Sequence, residues 1–528
     1  MDYSRHFNIK KTPQSQPIPG RESEMVVNNA GGVVFGIDEW TRLDRFLILG
    51  SEGGTYYANE QNLTVKNAKN VLNCIKKDGV KAVLRIVQIS RSGRAPKNDA
   101  AIFALALCLK LGDLECRQLA AKVVPSVCRI GTHLFQLAQA VKALGGWGRG
   151  TRRAFQNWYL YKNVAALSYQ VVKYQQRAGW SHRDVLRLAH PKATDARLNA
   201  VLQYATTGTF DSEAQLELIE AVEHAKKAES LQEIVMLINN QGLPRECIPT
   251  KWLNEAAVWE ALLQAGHGMP MTAMIRNLGK MTKVGLIAPM SDASRFICNR
   301  LRDGELLEKA RIHPVDILIA IKTYGQGKGM RGNLTWQTSQ RIMNALDNAF
   351  YASFKNVKPT GKRHLLGVDV SGSMSWSSGN LGIDAATLAA AMAMVTAKTE
   401  SEYCIMGFSH QFRDLGVSPR HRLDDVMEKM SGRAFGATDC ALPMLYASRN
   451  NILVDNFVIY TDCETWFGKI HPVQALQAYR QQTGIAAKLT VVGITATEFT
   501  IADPEDSGML DVVGFDSATP QIIADFAR

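Results

Sequence analysis

Three polar side chains lie at the end of an apolar segment, residues 364–370, and just after it. Their spacing could bind a metal ion. The segment HLLGVDV has the apolar, β-branched character of a buried strand, and Asp369, Ser371 and Ser373 form the pattern D-x-S-x-S where it ends. In an open α/β sheet, ligands bind at the carboxyl ends of strands. A carboxylate and two hydroxyls are hard oxygen donors that suit Mg²⁺ and are poor ligands for zinc. The alternative is that Asp369 and Ser371 only cap the following turn.

Two further residues support the metal interpretation. Thr438 lies in the glycine-rich loop GRAFGATD, and Asp462 ends the apolar run FVIYTD. Both are expected at the same sheet edge as Asp369, where they would complete an octahedral oxygen site. No histidine or lysine is adjacent to these residues in sequence, so metal-assisted hydrolysis is the weaker interpretation.

The elements around these residues alternate between strand and helix, which predicts a doubly wound α/β sheet after a linker at 356–364. The predicted strands are 364–370, 402–408, 454–461 and 488–495, with an extended segment at 412–417. The predicted helices are 383–399, 422–430, 441–449, 471–482 and 519–527.

This part of the chain resembles a von Willebrand factor A domain with a metal-ion-dependent adhesion site. The resemblance implies a divalent metal, Mg²⁺, and one open coordination position for an acidic side chain of a protein partner. The ligands that it implies are Asp369, Ser371, Ser373, Thr438 and Asp462. Ala437 and Cys463 stand where this family usually has glycine, which puts the geometry of the two loops in question.

Residues 38–355 show the periodicity of one helix after another. Apolar residues recur at i, i+3, i+4 and i+7, as in Ile102, Leu105, Ala106 and Leu109, and the connectors are short. No alternating strand pattern is evident there. The pattern predicts an α-solenoid of about seven HEAT-like repeats of ~40–47 residues. Because the repeat consensus is weak, an irregular helical bundle is the alternative.

Charge divides the chain in two. Residues 362–528 contain 13 basic and 19 acidic side chains, a net charge of −6, whereas residues 1–361 carry +18. Such asymmetry indicates a polyanionic partner for the helical part, although a solvated basic surface is the simpler alternative. Nine scattered cysteines indicate reduced thiols of an intracellular protein, and no apolar run is long enough to span a membrane. We expect the protein in the cytoplasm, and a nuclear pool is compatible with the sequence.

Basic side chains recur at helical spacing within residues 169–192. Lys173 and Arg177, four residues apart, are predicted on one helix face, and Ser181 is predicted to cap a second helix with Asp184. Three more potential phosphate donors recur along that second helix: Arg183, Arg187 and His190. The aromatic residues among these cations could stack on bases, although the last is as typical of packing: Tyr169, Tyr174 and Trp180.

Two glycine-rich basic segments, WGRGTRR at 147–153 and TYGQGKGMRGN at 323–333, add further cations. Their glycines would let backbone amides approach phosphates, but neither segment has the spacing of a nucleotide-binding P-loop. As ordinary flexible loops they would need no function. The phosphate donors predicted there are Arg149, Arg152, Arg153, Lys328 and Arg331.

The peptides GWSHRDVLRLAHPK and TYGQGKGMRGNLTW, followed by an A domain, resemble the Ro autoantigen family of TROVE-module RNA-binding proteins. The resemblance implies a polar segment at 1–30, a ring of HEAT-like repeats at 31–361 and the A domain at 362–528, which joins the two ends of the ring. It also implies that Y RNAs bind the outer surface of the ring through Lys173, Arg177 and His190.

The same resemblance implies that single-stranded ends of misfolded small noncoding RNAs enter a basic central hole. The protein would then act in small-RNA quality control and ribonucleoprotein assembly, and not as an enzyme. Telomerase- and vault-associated proteins share the module, so a metal-dependent protein-adhesion scaffold of a large ribonucleoprotein is the second hypothesis. A metal-dependent hydrolase is the third.

Overall fold

The computed structural model describes residues 11–51, 55, 57–265, 268–330, 332–354, 357–375, 383–430 and 436–528. Two short strands and then a long series of helices come first. The elements before residue 361 are β1 Met25–Val27, β2 Val33–Gly36, α1 Glu39–Leu49, α2 Glu60–Ser92, α3 Asp99–Leu111, α4 Leu114–Val127, α5 Gly131–Ala143, α6 Arg149–Leu160, α7 Val164–Lys173, β3 Gln176–Arg177, β4 Trp180–Ser181, α8 His182–Ala189, α9 Ala196–Thr207, α10 Glu217–Lys227, α11 Leu231–Gln241, α12 Ala256–Gln264, α13 Met271–Arg276, α14 Leu278–Lys283, α15 Asp292–Arg302, α16 Gly304–Lys309, α17 Pro314–Gly325 and α18 Gln340–Ala352.

The C-terminal part alternates strands and helices around one sheet. Its elements are β5 His364–Asp369, α19 Ala385–Thr399, β6 Tyr403–Phe408, β7 Phe412–Asp414, α20 Leu423–Met430, α21 Leu442–Arg449, β8 Asn456–Thr461, α22 Pro472–Thr483, β9 Lys488–Gly493, β10 Phe499–Thr500, β11 Met509–Val513 and α23 Thr519–Ala527. The strand order is β11-β9-β8-β5-β6-β7, and only β7 runs antiparallel to its neighbour.

The helices before residue 361 share one continuous apolar core. The predicted buried stripe of Ile102, Leu105, Ala106 and Leu109 lies inside it, and Trp158 and Trp259 are among its largest fully buried side chains. α6 buries one stripe and leaves its arginines to solvent, as expected for a helical array, whereas α3 is buried on nearly all sides from Ala100 to Leu109. The predicted fold class, a helical solenoid followed by a doubly wound α/β domain, is confirmed.

The two ends of the helical array meet. The Nε2–H of His313, at the start of α17, donates to the carbonyl oxygen of Arg94, 219 residues earlier, at 3.3 Å. The Nδ1 atom of this imidazole accepts from the backbone N–H of Val315 at 3.2 Å, which leaves Nε2 as the donor. The contact closes the array into a ring.

The C-terminal domain bridges this junction. The Arg94 guanidinium donates from Nε to Asp516 at 2.8 Å and from a terminal nitrogen to the carbonyl of Val513 at 3.1 Å. On α1, the fully buried Arg45 donates to both carboxylate oxygens of Asp511 in β11, at 2.7 and 2.6 Å. Both ends of the ring therefore contact the same domain, since α17 also packs against α20.

Two short strands precede the region predicted to be helical, and within that region the only described strands are the two-residue β3 and β4. β1 pairs with β2, and β2 pairs with β10 of the C-terminal domain, so that Phe35 faces Thr500. These strands have two to four residues, too few to show an alternating pattern, and β10 follows β2 by more than 460 residues.

The segment 12–36, which we call the N-terminal strap, packs on the C-terminal domain. The backbone N–H of Thr12 donates to Gln474 at 3.0 Å, and the strap then passes along the sheet edge before β2 joins β10. Within the described ranges, no helix is both long and apolar enough to cross a membrane.

Candidate functional site

The polar residues predicted as metal ligands meet at the carboxyl ends of β5 and β8. Asp369 is the last residue of β5 and Asp462 directly follows β8, and both are buried. One carboxylate oxygen of Asp369 accepts from the backbone N–H of Ser371 at 2.9 Å, and the other accepts from the hydroxyl of Thr461 at 2.7 Å. The hydroxyls of Ser371 and Ser373 lie 3.0 Å apart. Asp369 does cap the turn, as the alternative interpretation held, but together with a second buried carboxylate.

The loop of Thr438 is joined to the loop that follows β8. The Thr438 carbonyl accepts hydrogen bonds from the backbone N–H groups of Trp466 at 3.2 Å and Phe467 at 3.1 Å, and it lies 3.2 Å from the hydroxyl oxygen of Thr465. Thr438 is itself buried. The structure therefore brings the three predicted ligand segments to one sheet edge, as β5 and β8 are neighbours in the sheet.

Burial disfavours the charged form of both carboxylates at this edge. Burial, and then the charge of Asp462, raise the pKa of Asp369 to about 7. Burial likewise raises the pKa of Asp462, although a hydrogen bond from Ser373 opposes it. Two desolvated carboxylates next to three hydroxyls are donors that fit Mg²⁺, whose charge would offset the cost of burying both.

A third carboxylate, which the sequence pattern did not single out, lies beside the site. Glu464 is almost completely buried, and its oxygens accept from the Asn29 side-chain amide at 2.7 Å and the Ala30 backbone N–H at 3.1 Å. Burial and then Asp462 raise the pKa of Glu464 to about 8. Its partners belong to the strap, so local sequence held no sign of this arrangement.

Cys463 occupies a backbone conformation that favours glycine. Its φ is +63°, in the left-handed region, and its side chain is fully buried. Cys463 therefore adopts the left-handed conformation next to Asp462 although it is not a glycine, at a cost of about 1–2 kcal/mol. The question raised by the departure from glycine is answered for this loop, because the cysteine adopts the conformation.

Two of the predicted basic segments lie on neighbouring helices. The side-chain amide of Gln156 in α6 donates to the carbonyl of Ala189 at the end of α8, at 2.6 Å. The prediction that His190 continues the stripe of Arg183 and Arg187 was wrong, because α8 ends at Ala189 and His190 follows it in the left-handed conformation. Exposed cations on the two helices and just after α8 form what we call the α6–α8 basic surface: Arg149, Arg152, Arg153, Arg183, Arg187 and His190. Its cations come from segments about 30 residues apart, so one polyanion could contact both helices.

The prediction that Lys173 and Arg177 share one helix face was wrong. α7 ends at Lys173, and the chain enters a two-residue hairpin in which Arg177 pairs with Trp180. The turn residues Ala178 and Gly179 have φ values of +53° and +74°, the left-handed pair typical of a tight hairpin. Arg177 is exposed, whereas Lys173 is half-buried and donates to the Tyr169 hydroxyl at 2.6 Å.

Trp180 is a packing residue. It is buried, and its ring stacks on Trp147 with centroids 6.0 Å apart, which ties the hairpin to the start of α6. The predicted cap is confirmed: the hydroxyl of Ser181 accepts from the N–H of Asp184, whose carboxylate accepts from the N–H of Ser181. The hairpin and α8 therefore have a defined orientation on α6.

The two glycine-rich segments are not simple loops. In the first, α6 begins at Arg149, so its three arginines project from the first turns of a helix. In the second, α17 continues to Gly325, and the exposed Lys328 follows on a short turn closed by the bond from Gly329 N–H to the Leu334 carbonyl at 2.8 Å. Arg331, also predicted to bind phosphate, lies outside the described residues.

Comparison with known proteins agrees with both parts of the structure. The TROVE domain model matches residues 26–323, and the Ro60 vWA domain model matches residues 363–527. The chain belongs to the Ro60 family of TROVE-domain proteins. A family member from Deinococcus radiodurans, named RNA-binding protein RO60, is 42% identical over 99% of this chain and 98% of its own length. One from Caenorhabditis elegans with the same name is 37% identical over 95% of this chain and 90% of its own.

A solved structure of the Ro60 family gives the same relationship. The crystal structure of the Deinococcus radiodurans RO (RSR) protein matches with a TM-score of 0.69 at 42% identity, covering 93% of this chain and 99% of that one. The family assignment therefore confirms an RNA-binding protein family with a TROVE module and a von Willebrand factor A domain.

Proposed function

We propose that this chain binds small noncoding RNAs, and that Y RNAs bind the outer surface of its ring through the α6–α8 basic surface. The observation that carries the proposal is the hydrogen-bonded contact between α6 and α8, which unites two sets of exposed cations. The half-buried Lys173 at the end of α7 and the exposed Arg177 in the following hairpin are the further RNA contacts that we propose. Phosphate neutralisation by such side chains supplies most of the affinity for RNA.

The second part of the proposal concerns misfolded small RNAs. Their single-stranded ends would enter the hole of the ring, and the protein would act in RNA quality control and ribonucleoprotein assembly. The net charge of +18 before residue 362 and the closure of the ring by Arg94 and His313 support it. We propose that this occurs in the cytoplasm, with a nuclear pool compatible with it.

A filter-binding titration over a range of salt concentrations tests the RNA site. We expect Lys173→Ala with Arg177→Ala to weaken binding of a small hairpin RNA and to flatten the dependence of affinity on salt. Arg420→Ala with Arg449→Ala removes two exposed charges from the C-terminal domain and serves as the control. If the first variant keeps the affinity and salt slope of the control, these two residues do not bind RNA.

At the sheet edge, we propose a Mg²⁺ ion held by Asp369, Ser371, Ser373, Thr438 and Asp462, which would accept an acidic side chain from a protein partner. The buried carboxylate pair and the hydroxyls beside it favour this second role, that of an adhesion scaffold in a ribonucleoprotein. We propose no catalytic step. RNA incubated with Mg²⁺ should remain intact, and cleavage that Asp369→Ala abolishes would instead identify a hydrolase.

A further inference from the structure

We infer that the N-terminal strap is a positioning element of the metal site, and that cation binding and docking of the strap stabilise each other. Gln14 and Asn28 would hold the two loops that carry Thr438 and Asp462 in the arrangement that binds the ion. The inference rests on the metal site proposed above.

Gln14 connects both loops with one side chain. It is fully buried, and its amide nitrogen donates to Asp439 at 2.8 Å and to the carbonyl of Ile470 at 2.8 Å. Its amide oxygen accepts from the hydroxyl of Thr465, whose oxygen also lies 3.2 Å from the Thr438 carbonyl. Gln14 therefore contacts Asp439, which directly follows Thr438, and Thr465, which lies three residues after Asp462.

Asn28 and its neighbours bind the loop after β8 from a second point. The amide nitrogen of Asn28 donates to the carbonyls of Thr465 at 2.8 Å and Cys463 at 3.3 Å. Its amide oxygen accepts from the backbone N–H of Gly32 at 2.8 Å, which folds the strap onto itself. The side chain of Asn29 adds the bond to Glu464 described above. The three residues that follow Asp462 are thus held by the strap: Cys463, Glu464 and Thr465.

The contact is too close for any side chain at Gly32. A Cβ atom there would lie 1.8 Å from the carbonyl oxygen of Thr465, far less than the sum of the van der Waals radii of the two atoms. The backbone of the strap therefore lies directly on the metal-site loop, and not on a layer of side chains.

Groups that orient metal ligands typically contribute 10–100-fold to metal affinity. Since the strap orients two ligand loops that are far apart in sequence, its release would leave each loop free to move away from the ion. Thermodynamic linkage requires the reverse effect as well: an ion that binds the docked arrangement more tightly must stabilise the docked strap by the same factor. The strap continues through β2 into α1, so docking or release of the strap at the metal site would also affect the first helix of the ring.

Calorimetric titration of the full chain with Mn²⁺ tests the first direction. We expect Gln14→Ala to weaken Mn²⁺ binding by roughly tenfold, whereas Gln16→Ala, at an exposed position two residues away, should bind as the wild type does. Equal affinities of Gln14→Ala and wild type would overturn the inference. A wild-type chain that binds no Mn²⁺ would overturn the metal site itself, and the inference with it.

Hydrogen exchange of the wild-type chain with and without Mg²⁺ tests the other direction. We expect Mg²⁺ to slow exchange of the Gln14 and Val33 amides, which donate to the carbonyls of Gly468 and Gln14. Asp369→Ala should remove this effect, and amides of α11 serve as the reference. Binding of Mg²⁺ with unchanged exchange in the strap would show that the two events are independent and would overturn the coupling.

Discussion

The side-chain amide of Gln156 donates to the carbonyl oxygen of Ala189 at 2.6 Å, and this bond joins α6 to the end of α8. The carbonyl would otherwise be one of the unpaired acceptors at a helix C-terminus. The bond places the arginines of two separate segments on neighbouring helices.

If the two helices bind one RNA, removing a cation from each should lower the salt dependence of the affinity for that RNA by the sum of the two contributions. We expect Arg152→Ala with Arg187→Ala to reduce the slope of log affinity against log salt by roughly 1.4–1.8, or 0.7–0.9 for each lost phosphate contact. Filter binding at several salt concentrations measures it. Arg420→Ala with Arg449→Ala changes net charge equally and should leave the slope unchanged; equal slopes for both pairs would mean that the effect comes from net charge alone.

His182 should make the ring sensitive to acid. It is buried, its Nδ1 accepts from the Tyr159 hydroxyl at 2.9 Å, and its Nε2–H donates to the Gln170 carbonyl at 3.3 Å. Burial lowers the pKa of His182 to about 4 from an ordinary value near 6.5. Between these values the unfolded chain binds more protons, so stability is present above pH 6.5 and is lost as the pH falls towards 4.

Urea unfolding of the chain at several pH values between 4 and 7 measures this loss. His182→Gln can keep both hydrogen bonds without a titratable group, so its unfolding free energy should depend less on pH than that of the wild type. His190→Gln replaces an exposed histidine and should retain the wild-type pH dependence. A pH dependence in His182→Gln as steep as that of the wild type would assign the acid sensitivity to other groups.

The ring junction should depend on Arg94. Arg94→Ala removes the guanidinium from Asp516, which is only 1% exposed, and leaves a buried carboxylate without its cation. We expect a loss of about 3 kcal/mol in the free energy of unfolding. Thermal and urea unfolding measure the loss, and Arg91→Ala, an exposed position on α2, is the control. A loss no greater than that of Arg91→Ala would show that the ion pair adds little to closure.

Mg²⁺ should stabilise the chain if the sheet edge binds it. At a concentration one hundred times its dissociation constant, the ion would add about 2.7 kcal/mol to the free energy of unfolding. A thermal shift assay with and without a chelator measures the effect. Asp369→Asn should lose the Mg²⁺-dependent shift, while Asp525→Asn, at an exposed carboxylate of α23, should keep it. An undiminished shift in Asp369→Asn would place the ion elsewhere.

Local patterns predicted the parts of the fold whose partners are near in sequence. The run at 364–370 was recognisable because a strand buried on both faces is continuously apolar, and it ends at Asp369 as expected. The stripe from Ile102 to Leu109 is a core face because helical periodicity is a local property. The box of Ser181 and Asp184 spans only one turn, so it too is visible in sequence.

Predictions failed where a few residues decide between local conformations. Lys173 and Arg177 have helical spacing, but Ala178 and Gly179 form a tight turn that ends the helix and reverses the chain. β11, which was also missed, has two half-buried positions and therefore lacks the apolar continuity of the inner strands. Charge at these positions was predictable, but the direction in which each side chain points was not.

The sequence by itself determined the types of side chain that could bind a cation or a polyanion, and the helix and strand patterns that carry them. Only the tertiary structure placed Gln14 against Thr465, Gln156 against Ala189 and Arg94 against His313. Two of these three contacts join residues that are 219 or more positions apart, and the third joins separate helices. Short-range periodicity records which face of an element is buried, but the partner of that face is selected by packing over the whole chain.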